Sequence, residues 1–151
     1  GHMVLSTLHT NDAVSSIVRL EDMGVETYLV ANSLVGLVAQ RLMRKVCPKC
    51  GAEMETTEQE RIFLGEDVKK VRRGVGCAHC NHTGYSGRIA VHEIVSIDNE
   101  IRRMIINHTS VEEITAYAKE HQHMRTLKES GLNLVKEGLT TPEELLKISY
   151  Q

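Results

Sequence analysis

The chain has 151 residues, 41% of them apolar but only 3% aromatic, with one Phe and no Trp. That length suffices for one ordinary domain or two small ones, with a core drawn mainly from Val, Leu, Ile and Met. A formal net charge of -2 excludes the global basic field of a nucleic-acid-binding chain, and the longest apolar run, Tyr28 to Ala39, is broken by Asn32 and Ser33 and falls short of the roughly 20 residues that span a bilayer.

Gly1-His2-Met3 reads as an expression-tag remnant. The segment from Val4 then opens inside a strand pattern with no lead-in, so a fragment of a longer protein is expected. "VLSTLHTNDA" reads as strand, turn and helix start. His9 falls at the carboxyl end of that strand, where side chains of α/β proteins face the ligand crevice; its plainer reading is an exposed turn histidine. Asp12 can cap a helix carrying Val14, Ile17, Val18 and Met23, stopped by Gly24. Thr27 to about Met43 is apolar on most faces and predicts a buried second helix. Its basic end, Arg41, Arg44 and Lys45, suits a helix C-terminus.

From Val46 to Arg88 cysteines, glycines and charges replace the aliphatic periodicity, apart from a short helical candidate over Thr57 to Leu64. "GRIAVHEIVSI", residues 87–97, alternates and predicts a strand. Helices follow. Asp98 caps one carrying Ile101, Met104 and Ile105; Ser110 and Glu113 form a capping box for the next; Met124 to Glu137 makes another; and Thr141-Pro-Glu-Glu144 starts the last.

All four cysteines fall in two pairs of identical spacing, Cys47-Pro-Lys-Cys50 and Cys77-Ala-His-Cys80. Two thiolates on a tight turn can reach one ion, and two such turns complete a tetrahedral site of the kind zinc prefers. A closed site of this type staples a segment that lacks a core of its own. The alternatives are two disulfides, which the absence of secretory features disfavours, a redox Cys-x-x-Cys, or His79 or His82 replacing one cysteine.

"VLSTLHTNDA", "LVAQRL" followed by "CPKC", and "GCAHCNHTGYSGRIAVHEI", in this order and spacing, resemble the C-terminal part of the type II secretion and type IV pilus assembly ATPases (the GspE and PilB group). The resemblance extends from Val4 onward. It implies an α/β fold: the C-terminal part of a RecA-like P-loop motor domain over 4–46, an inserted four-cysteine zinc module over 47–88, and a strand plus C-terminal helical lobe over 89–151. It implies Cys47, Cys50, Cys77 and Cys80 as the ligands of one structural Zn2+. His9 would lie near the γ-phosphate, and Arg19 and Arg41 would stabilise transferring phosphoryl charge.

No Gly-x-x-x-x-Gly-Lys-Ser/Thr occurs in the chain, so ATP and Mg2+ are expected only in the longer parent and this segment alone is expected to be inactive. Family members are similar in forming hexameric rings at the cytoplasmic face of the bacterial inner membrane. The expected partners are therefore neighbouring subunits and inner-membrane platform proteins, with no nucleic acid and no membrane insertion. A free-standing zinc ribbon binding nucleic acid or protein through Lys49, Lys69, Lys70, Arg72 and Arg73 is the alternative; the plainer reading of "KKVRR" is a solvated strand or loop. A chaperone-type zinc module is a third, and "CNHTGYSG" departs from its spacing.

Overall fold

The computed structural model describes residues 1–149. Among these residues seven α-helices and four strands follow one another as α1 (Ser15–Asp22), α2 (Thr27–Ser33), β1 (Gly36–Val46), β2 (Gly51–Glu55), α3 (Glu58–Leu64), β3 (Lys70–Gly74), β4 (Tyr85–Ser96), α4 (Asn99–Ile106), α5 (Val111–His121), α6 (Leu127–Lys136) and α7 (Pro142–Ser149). β1 pairs with β4, and β2 with β3 in an antiparallel ribbon. The chain divides into two compact units, one from Gly1–Ala39 and Glu93–Arg125, the other from Gln40–His92 and the chain from Thr126 on. The division falls within β1 and within β4.

In the first unit α2 packs on α1 and α4, around a core that includes Val14, Ile17, Val30, Ile101, Ile105 and Ile114. α1 begins after a 3₁₀-like turn in which the Ser16 and Ile17 amides donate to the carbonyls of Ala13 and Val14. Asp12 holds that turn, accepting from the Ser15 amide at 2.8 Å and the Ser15 hydroxyl at 2.7 Å. Val14 and Ile17 are buried as expected, whereas Val18 and Met23 are exposed. The buried carboxylate of Glu93 accepts from the Ala13 amide at 2.9 Å and so ties β4 to the start of α1.

Two expectations are corrected. Residues 1–10 form no strand, and Val4 and Leu5 are among the most exposed apolar side chains. A strand exists only where its amides and carbonyls find a ladder partner, and Val4 to Leu8 has none among the described residues. The helix expected over Thr27 to Met43 ends at Ser33, and β1 takes its second half. Along β1 burial alternates: Leu37, Ala39 and Met43 point inward while Val38 and Leu42 are exposed. Because the outward positions are also apolar, the stretch looks apolar in every phase, the pattern of a buried helix.

In the second unit α6 packs on α7 and on β3, over buried Met43, Val71, Val91, Leu127, Val135 and Leu145. Gly131 leaves no room for a side chain in this packing: an added Cβ would lie 2.8 Å from Leu145 Cδ1 and 3.3 Å from Met43 Sδ. The capping boxes at Thr57 and Ser110 form as their sequences specify, and a further one forms at Thr126 with Glu129. Each such cap stabilises its helix by about 1 kcal/mol.

The run "KKVRR" is largely β3. Lys70 meets Glu53 across the ribbon, and Arg73 is held between Glu143 and Glu60. Arg73 and Lys70 are thus neutralised within their own unit, as a solvated structural strand requires.

Candidate metal centre

Cys47 directly follows β1 and opens a turn that Cys50 ends, immediately before β2. The Gly51 amide donates to the Cys47 carbonyl at 2.9 Å, which closes the first knuckle. The second knuckle is a 3₁₀ turn over Ala78–Cys80. Its exit runs through Asn81 and His82, both left-handed at φ 49° and 60°, a conformation that Asn and His tolerate better than most residues. The Cys47 amide then donates to the Gly84 carbonyl at 2.9 Å, joining the two knuckles through the backbone.

The four sulfurs converge. All lie within 4.8 Å of one another, with Cys47–Cys77 at 3.9 Å, Cys50–Cys80 at 3.8 Å and Cys77–Cys80 at 3.8 Å. A metal–sulfur bond of about 2.3 Å in tetrahedral geometry demands a sulfur–sulfur separation of about 3.8 Å. A disulfide requires about 2.05 Å, so all four are free thiols. The donor set therefore fits one tetrahedral, thiolate-bound metal ion, and the ligand group is four cysteines with neither His79 nor His82 among them.

Backbone amides support the sulfurs from outside. Gly76 N–H donates to Cys50 Sγ, and the amides of Cys77 and Gly84 both donate to Cys80 Sγ, each at 3.3 Å. Such donors orient ligands and stabilise thiolate charge. Burial pushes the Cys80 thiol up, but its two amide donors and the neighbouring thiols outweigh that and bring it down to about 6. Burial and the adjacent cysteines push Cys50 the other way, to about 12 against the single Gly76 amide. Without a metal, negative charge therefore settles on Cys80 before Cys50, as expected of sulfurs too close to ionise together.

The cluster is fastened to α7 through Tyr85, the residue after Gly84. Its hydroxyl meets the Thr141 hydroxyl at 2.9 Å, and the Arg44 guanidinium lies 4.0 Å over its ring. Arg44 in turn bonds the buried Glu144 through Nε at 2.9 Å, Nη2 at 2.8 Å and its backbone amide at 2.9 Å. Sequence reasoning reached the four cysteines but missed the supporting amides of Gly76 and Gly84 and the Arg44–Glu144 anchor. The glycines flanking the second pair were the available signal; the anchor joins positions 100 residues apart and leaves no local one.

None of the other candidate residues belongs to the cysteine cluster. His9 is exposed on the N-terminal segment, Arg19 is exposed on α1, and Arg41 is half-buried in β1, where its Nη1 donates to the Gln40 carbonyl at 3.2 Å. Among the described residues no helix is long and apolar enough to cross a membrane.

The family model for "Type II/IV secretion system protein" matches residues 1–147. The chain is similar to type II secretion system protein E of Aeromonas hydrophila, 42% identical over all of this chain and 30% of the relative. It is similar to the type IV pilus assembly ATPase PilB of Thermus thermophilus, 42% identical over 97% of this chain and 17% of the relative. It is similar again to the type II secretion system protein HxcR of Pseudomonas aeruginosa, 44% identical over 99% of this chain and 29% of the relative. The chain thus spans less than a third of the length of these relatives. With a match across nearly all of its length, it belongs to the type II/IV secretion system protein family.

Proposed function

We propose that this chain is the C-terminal portion of a hexameric cytoplasmic ATPase that powers type II secretion or type IV pilus assembly at the inner membrane. One observation carries this: identity of about 40% runs the full length of the chain to relatives named for both systems. The chain contains no P-loop, so the cradle for the β- and γ-phosphates and the magnesium site belong to the rest of the longer protein. His9 is assigned to the nucleotide site as a sensor or water-positioning group, and Arg19 and Arg41 to phosphoryl charge in their own or a neighbouring subunit.

The metal is zinc. Its role is structural, since four cysteines leave no open coordination position. Bound there, it locks the two knuckles together in a segment with few apolar residues, and its binding energy becomes folding energy. The rigid module and nearby helices form a docking surface for neighbouring subunits and inner-membrane platform proteins.

A chimera tests the assignment. The 154-residue matched region of the Aeromonas protein is replaced by this chain, and secretion is measured in a strain lacking the native protein. Restored secretion is expected. A folded, zinc-loaded chimera that does not secrete would overturn the reading. Replacing Cys77 and Cys80 in a working chimera should abolish secretion, and normal secretion from that variant removes the docking role.

A further inference from the structure

We propose that the cavity lined by α1, α4 and the start of α5, all within the first unit, is a receptor for an alkylammonium group: a primary amine on an apolar stem. The cavity holds about 210 Å³. Val14, Ile17, Val18, Ile105 and Ile114 form the aliphatic side of its wall, and His108, Thr109 and Ser110 the polar side. On this lining stands one acid, Glu21, whose Oε1 has less than 1 Å² accessible to solvent and no hydrogen-bond partner among the described residues.

A carboxylate oxygen left buried and unpaired costs a few kcal/mol relative to water. The aliphatic walls that impose this cost also lower the local dielectric, so a cation entering the cavity is attracted more strongly than at an open surface. An ammonium carries three donors; one satisfies Oε1, and the Thr109 hydroxyl at the lining is offered to another, that of Ser110 being engaged with Glu113 as the cap of α5. The stem then covers the Val and Ile walls. The volume equals that of about seven waters at roughly 30 Å³ each, close to the size of a five-carbon diamine. A bare metal ion fits poorly, because the metal-ligating cluster among the described residues is the four cysteines, and a single carboxylate oxygen does not make a cage. The amine can be a free polyamine or the side chain of a lysine on another polypeptide. This inference does not depend on the proposed motor function.

The test is a backbone amide NMR titration of the whole chain at about pH 8, where primary amines are cationic. The probes are 1,5-diaminopentane, Nα-acetyl-lysine methylamide and, as the uncharged control, 1,5-pentanediol. Saturable shifts are expected at Val18, Ile105, Ser110 and Ile114 with both amines and not with the diol. Affinity should fall at least tenfold in Glu21→Gln. Tighter binding of the lysine derivative assigns the site to a polypeptide partner, and tighter binding of the diamine to a free polyamine. No saturable shift up to about 50 mM, where even a weak site fills, overturns the proposal, as does equal binding of the diol. Unchanged affinity in a folded Glu21→Gln variant does the same. The diol comparison is made on the unaltered chain and decides the matter even where the variant does not fold.

Discussion

Gly74 and Gly84 meet backbone to backbone: a Cβ on Gly84 would lie 2.5 Å from the Gly74 carbonyl oxygen, and a Cβ on Gly74 would overlap the Gly84 carbonyl outright. Neither position has room for a side chain, and Gly84 also holds a left-handed φ of 79°. Its amide donates to Cys80 Sγ while its carbonyl accepts from the Cys47 amide. One residue thus supports a ligand from each knuckle. Gly84→Ala and Gly74→Ala are expected to weaken metal affinity by about 10- to 100-fold, the range for lost supporting contacts around a metal, measured by competition with a chelator. Gly87→Ala is the control: its φ is 78°, but the nearest atom to an added Cβ is Lys45 Cδ at 4.0 Å. It should cost about 1 kcal/mol of stability through strain alone and leave metal affinity intact.

Metal loading should release protons and should weaken as pH falls. At pH 7 Cys80, brought down to about 6, is a thiolate, whereas Cys50, held at about 12, keeps its proton until an ion displaces it. One zinc per chain is expected by elemental analysis. Titrating zinc in a weakly buffered solution should show at least one proton released per ion, and Cys50→Ser should reduce both loading and proton release. Metal-free protein that keeps its folded signature with four titratable thiols would remove the structural role of the ion.

How far this site was legible depends on the range of the interactions. The cysteine pairs announce themselves because each knuckle is closed within four residues, and the caps at Thr57, Asp98 and Ser110 are equally local. β1 was misread because Val38 and Leu42 are apolar although they face outward, so no alternation betrayed a strand. Val4 to Leu8 has the composition of a strand, yet pairing is a property of two segments and cannot be read from one. Glu93 with Ala13 and Glu144 with Arg44 join positions 80 and 100 residues apart; a glutamate in sequence looks solvated until the fold buries it.

Glu144 should make the chain acid-sensitive. Burial alone would raise its carboxyl, but the Arg44 side chain and amide, together with Lys147 at 2.8 Å, bring it down to about 2. A carboxylate depressed in the folded state contributes stability that is fully present above its unfolded value near 4.3 and is lost as pH falls toward about 2. Denaturant unfolding of the metal-loaded chain above that range should show Glu144→Gln destabilised by about 2 kcal/mol, the scale of hydrogen bonds to a charged group. The deficit should shrink in acid to the extent that the metal site survives there. Arg44 is partly exposed and can rehydrate, which keeps the loss below that of a fully buried pair.

Asp98 does the corresponding work in the other unit, and its partners allow the contributions to be separated. Its Oδ1 caps α4 through the Ile101 amide at 2.8 Å, while Oδ2 accepts from the Tyr117 hydroxyl at 3.1 Å and Gln122 Nε2 at 3.0 Å. Burial opposes ionisation, yet these donors hold the carboxyl below its ordinary range, so its contribution too is present at neutral pH and fades in acid. Asn keeps an oxygen for the cap but not the charge, so Asp98→Asn should cost about 1 kcal/mol and Asp98→Ala about 2 kcal/mol. Tyr117→Phe keeps the ring that stacks on His121 at 4.4 Å and should cost less than either. If the hydroxyl acts through the carboxylate, the double variant Asp98→Ala with Tyr117→Phe will be about 0.5 kcal/mol or more less destabilised than the sum of the single changes. Strict additivity in denaturant unfolding would mean that the Tyr117 hydroxyl contributes independently of the Asp98 carboxylate.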